Sequence, residues 1–186
     1  MTTGALLLAA GQSRRFGAPK LLAPLRGAPL VRHAAGALQA AGLPVLVVTG
    51  AHSAGVEAAL ADLDLGFTHA ADHALGMAHS LRAGLAAAPQ GWDAVLVMLA
   101  DMPDLEPGLL RRLADTPGIA VPVRGGRRGN PVRWPRVHWP ALMALTGDEG
   151  ARRLLPKLGA VEVEAPSDAI FHDIDTQEAL NALRQP

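Results

Sequence analysis

The sequence predicts an α/β fold built on a mostly parallel sheet, and three observations carry that prediction. Short, strongly apolar runs (Ala5–Ala10, Val45–Thr49 and Ala94–Leu99) read as strands buried on both faces. Between them lie alanine- and leucine-rich stretches bounded by proline and glycine, which read as helices, and this alternation is the pattern of a parallel sheet covered by helices. Beyond Arg124 the rhythm breaks into a glycine–arginine turn. Val132 and Trp134 follow among prolines, which predicts an edge or antiparallel strand rather than a central parallel one.

Taken in order, Ala5–Ala10 is the first strand, and it breaks at Gly11 into a polar loop reaching Lys20. Leu21–Leu25 reads as an extended link and Arg26–Pro29 as a turn. Leu30–Ala41, starting after Pro29 and stopping at Gly42, is the first helix. Val45–Thr49, a helix over Ala54–Leu60 and a short strand at Leu65–Thr68 come next. Gly76 precedes a helical stretch to Ala88, and Ala94–Leu99 ends at Ala100-Asp101-Met102-Pro103. A helix over Glu106–Ala114 and a strand at Ile119–Val123 complete the regular part. After the arginine turn, His138–Leu145 and Asp148–Leu158 read as helices, and Val161–Val163 and Ile170–Ile174 as short strands. Gln177–Leu183 reads as a final helix capped by Asp175 or Thr176. The sequence shows no repeat or linker, so residues 1–186 are expected to form one domain.

The loop Gly11-Gln12-Ser13-Arg14-Arg15-Phe16-Gly17-Ala18-Pro19-Lys20 carries the first chemistry. A buried strand ending in such a loop brings backbone N–H groups and cations to the carboxyl edge of a sheet, where open α/β sheets bind ligands. Glycines admit a close approach of the main chain, and bare N–H groups form an anion nest. Arg14, Arg15 and Lys20 add positive charge suited to a polyphosphate. The spacing is not that of a Walker loop, and from the residues alone an ordinary βα turn with surface cations is an equal reading.

Asp101 follows a six-residue apolar run, so it falls at the same sheet edge; it reads as a turn cap before Pro103 or as a Mg²⁺ ligand. Asp173 and Asp175 alternate along an extended segment and share a face, which admits a second ligand at Asp173 and a helix cap at Asp175. His69 and His73 are four residues apart but span a predicted strand-to-loop break, so they and His79 read as solvated loop histidines rather than a metal cluster.

Formal net charge is zero, which argues against broad binding to nucleic acid or an anionic membrane. The absence of cysteine excludes disulfides, thiolate catalysis and thiolate zinc sites. No leader pattern and no apolar run of membrane-spanning length is found, so the expected location is the cytoplasm.

Leu8-Ala9-Ala10-Gly11-Gln12-Ser13-Arg14-Arg15-Phe16-Gly17-Ala18-Pro19-Lys20 resembles the signature loop of nucleotidyltransferases that attach CMP or GMP to the molybdenum cofactor. More loosely it is similar to the wider group that makes nucleotide sugars. Five further stretches resemble the family in the same order: Gly76-Met77-x-x-Ser80-Leu81, Leu99-Ala100-Asp101-Met102-Pro103, Arg127-Arg128-Gly129-Asn130-Pro131, Thr146-Gly147-Asp148-Glu149-Gly150-Ala151-Arg152 and Asp173-Ile174-Asp175-Thr176. Gln177 stands where the family has proline, and Ala70 where it usually has asparagine.

The resemblance implies a three-layer, Rossmann-like fold of the nucleotide-diphospho-sugar transferase kind, with at least one antiparallel strand late in the chain. It implies Mg²⁺ on Asp101 and Asp173. Nucleotide contacts are implied at Leu8, Ala9, Ala10, Gly11, Ser13, Arg15, Gly17, Lys20, Gly76 and Ser80, with Arg15, Lys20 and Asp101 catalytic. Arg128, Asn130, Asp148 and Arg152 are implied to face a phosphorylated pterin acceptor, and a molybdoenzyme is implied as downstream partner. In the family, L-A-A-G accompanies CTP more than GTP, so the expectation is CMP transfer from CTP with release of pyrophosphate. The rival readings are a nucleotidyltransferase for a sugar or alditol phosphate, and a non-catalytic protein that binds and delivers a nucleotide or cofactor.

Overall fold

A computed structural model describes residues 1–183. The strands are β1 (Thr3–Ala9), β2 (Pro24–Leu25), β3 (Ala28–Pro29), β4 (Val45–Thr49), β5 (Gly66–His69), β6 (Ala94–Leu99), β7 (Ala120–Arg124), β8 (Arg127–Arg128), β9 (Val132–Pro135) and β10 (Val161–Glu164). The helices are α1 (Leu30–Ala40), α2 (Ser53–Ala59), α3 (Met77–Ala87), α4 (Pro107–Asp115), α5 (Trp139–Met143), α6 (Leu155–Leu158) and α7 (Gln177–Ala182). The main sheet runs β10-β7-β9-β6-β1-β4-β5, with β8 paired to β7. β5, β4, β1 and β6 are mutually parallel, β9 lies antiparallel to both β6 and β7, and β10 is parallel to β7.

Both faces are covered, as the apolar runs require. Along β1, Ala5, Leu7 and Ala9 pack into a core with α1, α2 and α4, whereas Leu6 points into a second core with α3 and α5. This alternation is the period-two geometry of a strand between two helical layers. The architecture is therefore the three-layer, mainly parallel fold with late antiparallel strands.

Several local expectations are corrected. β9 is antiparallel but not an edge strand; it lies between β6 and β7. Its prolines do not prevent this, because Pro131 precedes the strand and Pro135 ends it. The stretch 21–25 is not a plain extended link: a 3₁₀ turn at Lys20–Leu22 leads into a β2–β3 hairpin, closed by Arg26 and Gly27 at φ 47° and 84°. The stretch 148–158 is not one helix. A turn, a 3₁₀ segment at Ala151–Leu154 and then α6 replace it, since Pro156 is tolerated only in a first helical turn. The segment 170–174 is not a strand. It is the end of a 3₁₀ turn, Asp168–Phe171, followed by extended chain tied to the sheet by Ile174 N–H donating to Asp101 O at 3.1 Å. Thr176 caps α7, its Oγ1 accepting from Ala179 N–H at 3.2 Å, so Asp175 is not the cap.

Candidate active site

β1 and β6 end side by side, with Leu8 opposite Leu99, so the loop after β1 and the segment Ala100–Met102 emerge together at one sheet edge. Ser13 folds the loop. At φ 54° its carbonyl accepts from Phe16 and Gly17 N–H, and its hydroxyl accepts from Lys20 N–H at 3.2 Å. Phe16, buried, anchors the loop in the core, and Gln177 Nε2 donates to Phe16 O, tying α7 to it.

Three carboxylates converge on this edge. Asp101 comes from the end of β6, and Asp173 and Asp175 from the extended chain before α7; each presents an oxygen, all within 4.8 Å of one another. Lys20 Nζ donates to Asp101 Oδ2 at 2.7 Å and to Asp175 Oδ1 at 3.1 Å, while Arg15 reaches Asp175 Oδ2 at 3.4 Å. Burial pushes the Asp101 carboxyl above the ordinary aspartate range; Lys20 opposes the shift and Asp173 adds to it. For Lys20, burial works against the charge, but Asp101 and then Asp175 outweigh it and hold the ammonium above the ordinary lysine value. Among the described residues, Asp101 Oδ1 is buried with no hydrogen-bond partner. Hard oxygen donors in close convergence, one of them unpartnered, fit a divalent cation such as Mg²⁺ or Mn²⁺.

Two cavities open here. The first, about 470 Å³, is lined by Leu8, Ala10, Gly11, Ser13 and Lys20 from the β1 loop, by His73, Gly76, Met77 and Ser80 around the start of α3, and by all three aspartates. The second, about 490 Å³, is lined by Met102, Arg127, Arg128, Asn130, Arg152, Ile170, Phe171 and Asp173. Asp173 borders both.

The geometry divides the expected residues. Leu8, Ala10, Gly11, Ser13, Lys20, Gly76, Ser80, Asp101 and Asp173 come together at the first cavity, and Arg128, Asn130 and Arg152 at the second. Ala9 does not line the first cavity, because strand alternation turns it into the opposite core, and Gly17 is an exposed loop residue. Arg15 stands at the rim, its side chain 83% exposed, whereas its neighbour Arg14 lines the cavity. Asp148 belongs to the first cavity rather than the second. Its Oδ1 accepts from Met77 N–H at the start of α3, so it does not cap the chain that follows it.

The structure adds four members to the expected set: Asp175, which the sequence offered as a cap, Arg127 from the glycine–arginine turn, His73, and Phe171, which the sequence did not mark. Arg127 lies 4.4 Å over the Phe171 ring, at the second cavity. His73 is not a solvated loop residue: its Nδ1 is buried without a partner among the described residues, and its ring meets that of His69 edge-on at 6.2 Å. The signal for Asp175 is its place beside Asp173, and that for Arg127 its place beside Arg128; nothing in the local sequence marks Phe171.

A three-layer α/β domain with acids and a cationic loop at the carboxyl edge of its parallel strands has the layout of a nucleotide-handling enzyme. The chain belongs to the MobA-like NTP transferase family, whose domain it matches over residues 5–163. It is 34% identical to the purine catabolism protein PucB of Bacillus subtilis, over 97% of this chain and 95% of that one. It is 33% identical to the nicotine blue oxidoreductase of Paenarthrobacter nicotinovorans, over 96% and 94%. Among solved structures, Rv0371c of Mycobacterium tuberculosis superposes with a TM-score of 0.88 at 26% identity, covering 99% of this chain and 97% of that one. The same mycobacterial protein has also been solved in complex with manganese. Among the described residues, no helix is long and apolar enough to cross a membrane.

Proposed function

We propose that this chain is a Mg²⁺-dependent nucleotidyltransferase that transfers CMP from CTP to the phosphate of a molybdenum-cofactor pterin and releases pyrophosphate. The observation that carries the reading is Asp173 on the border of both cavities. A nucleotide in the first cavity and a phosphorylated acceptor in the second would meet at the carboxylate cluster.

An acceptor phosphate oxygen attacks the α-phosphorus, the new P–O bond forms, and the bond to the β-phosphate breaks. An ionised phosphate needs no general base, so the protein's task is positioning and charge neutralisation. Lys20, with Arg15 at the rim, would hold the triphosphate, and the N–H groups after Ala10 and Gly11 would face the nucleotide. Gly76 and Ser80 also line the first cavity and would contact the nucleotide. Arg128, Asn130 and Arg152 supply guanidinium and amide donors matched to the acceptor phosphate. Asp101 and Asp173, with Asp175 beside them, would hold Mg²⁺, which when bound neutralises charge on the phosphates. The manganese complex of Rv0371c supports a divalent ion in this fold. We place the protein in the cytoplasm as a single 1–186 domain, with a molybdoenzyme as downstream partner.

A second reading is transfer to a sugar or alditol phosphate, since the guanidinium and amide donors of the second cavity suit the phosphate of either acceptor. Incubation with each NTP, Mg²⁺ and either acceptor, read as pyrophosphate, tests both. Turnover with CTP and the pterin supports the first reading; turnover with the sugar phosphate alone supports the second. Nucleotide binding without pyrophosphate from either acceptor refutes transfer.

A further inference from the structure

We propose that Lys20 is the resident cation of the three-aspartate cluster, so that its ammonium group and a divalent metal compete for Asp101 and Asp175. This rests on reading the cluster as the metal site. Nζ lies 2.7 Å from Asp101 Oδ2 and 3.1 Å from Asp175 Oδ1, and the Lys20 side chain is only 12% exposed. The ammonium thus sits among the oxygens that a metal would need.

A divalent ion ligated by these carboxylates would lie about 2.0–2.6 Å from their oxygens. The ammonium, 2.7 Å from one carboxylate and 3.1 Å from another, would then be its near neighbour, and two cations at that range repel. Each cation therefore weakens the hold of the cluster on the other. Asp101 Oδ1, buried and unpartnered, shows that Lys20 does not satisfy the carboxylate in full. Arg15 cannot fill the same role, because it is exposed and touches Asp175 alone at 3.4 Å.

The exchange needs no backbone motion. The root of Lys20 is fixed by its N–H bond to Ser13 Oγ and by the 3₁₀ turn it begins, in which Leu21 is buried. Its four-carbon stem can swing within the first cavity, where a triphosphate would offer it other oxygens. The nucleotide-free protein therefore keeps Asp101 and Asp175 compensated and holds metal weakly, and metal binds more tightly once the lysine has moved to other oxygens.

The test is a titration of the full chain with Mn²⁺ alone, read by the electron paramagnetic resonance signal of free Mn²⁺. Lys20→Met is expected to bind Mn²⁺ roughly ten- to a hundredfold more tightly than wild type, the span of a charge-assisted hydrogen bond removed from the competition. Arg15→Met is expected to change affinity by less than about threefold, as for an exposed pair. Lys20→Gln, neutral but still polar, should tighten binding likewise and serves if Lys20→Met does not fold. Equal or weaker Mn²⁺ binding in the lysine variants overturns the competition, and loss of binding in Asp101→Asn would then show that the metal site itself survives. Mn²⁺ binding indifferent to Asp101→Asn refutes the metal-site reading and the proposal with it.

Discussion

Gly76→Ala is expected to destabilise the protein by about 2–4 kcal/mol, a figure that follows from its surroundings. Gly76 has φ 119° and ψ 171°, a region that is essentially glycine-only and costs other residues about 1–3 kcal/mol. A Cβ there would fall 2.3 Å from the carbonyl carbon of Gly147, 2.4 Å from its oxygen and 2.8 Å from Asp148 N. All three are backbone atoms, so no side chain can swing aside. Relief requires α3 and the Thr146–Asp148 turn to separate, yet Ala78 N–H donates to Gly147 O at 3.0 Å and Met77 N–H to Asp148 Oδ1 at 3.4 Å across that contact. A lost bond adds about 1 kcal/mol, but it relieves the clash, so the contributions overlap rather than sum. Urea denaturation followed by circular dichroism measures the change. Gly108→Ala is the control, because its Cβ meets nothing within 4 Å and it lies in the first turn of α4. That variant should be neutral or up to about 1 kcal/mol more stable. If Gly76→Ala matched wild type within about 0.5 kcal/mol, the docking of α3 on this turn would not be the constraint described.

Four further outcomes are expected. Asp101→Asn should lower kcat at least about a hundredfold while leaving the urea midpoint nearly unchanged, since it removes charge from a cluster where burial already disfavours it; near-normal activity at limiting Mg²⁺ would remove Asp101 from the site. Ala10→Gly should partly relax a preference for CTP over GTP, by roughly 1–3 kcal/mol at most. A Cβ at Gly50 would fall 2.8 Å from both the Ala10 methyl and His73 Cγ, so the methyl lies close to His73; competition between the two nucleotides reads the effect, and a wild type preferring GTP refutes it. Arg133→Met should cost about 2–4 kcal/mol in urea unfolding, because the buried guanidinium donates to Ala114 O, Gly118 O and Thr3 Oγ1, and an unchanged midpoint would show that those acceptors find other partners. Asp62, paired through both oxygens with Arg32, has its pKa lowered to about 2. Its folded pKa lies below the unfolded value of about 3.9, so its contribution is present above about pH 4 and is lost as pH falls towards 2. The difference in urea midpoint between wild type and Asp62→Asn should shrink over that window, and a difference independent of pH would refute the pairing.

What was legible in the sequence, and what was not, divides by the distance over which each residue finds its partner. β1, β4 and β6 could be read because burial on both faces leaves a continuous apolar run, a property of the segment alone. The place of β9 could not, because prolines at its ends carry an edge signal while its pairing with β6 and β7 is decided by strands remote in sequence. The candidate site follows the same division. Gly11, Ser13 and Lys20 lie in one loop and Asp101 at one strand end, so their common edge follows from chain direction. Asp175 and Thr176 were equivalent cap candidates under local rules, since either oxygen could accept from the first turn of α7. The choice is made elsewhere: Lys20, 155 residues away, takes Asp175 Oδ1 and leaves the cap to Thr176. Asp148 likewise forgoes the chain after it and accepts from Met77, 71 residues earlier. A polar residue read locally is assigned to the nearest backbone donor, because only that partner is visible from sequence. The carboxylates of the candidate site are where that assignment fails: Asp175 and Asp148 each forgo the neighbouring chain for a partner remote in sequence, a lysine ammonium in one case and a helix N–H in the other.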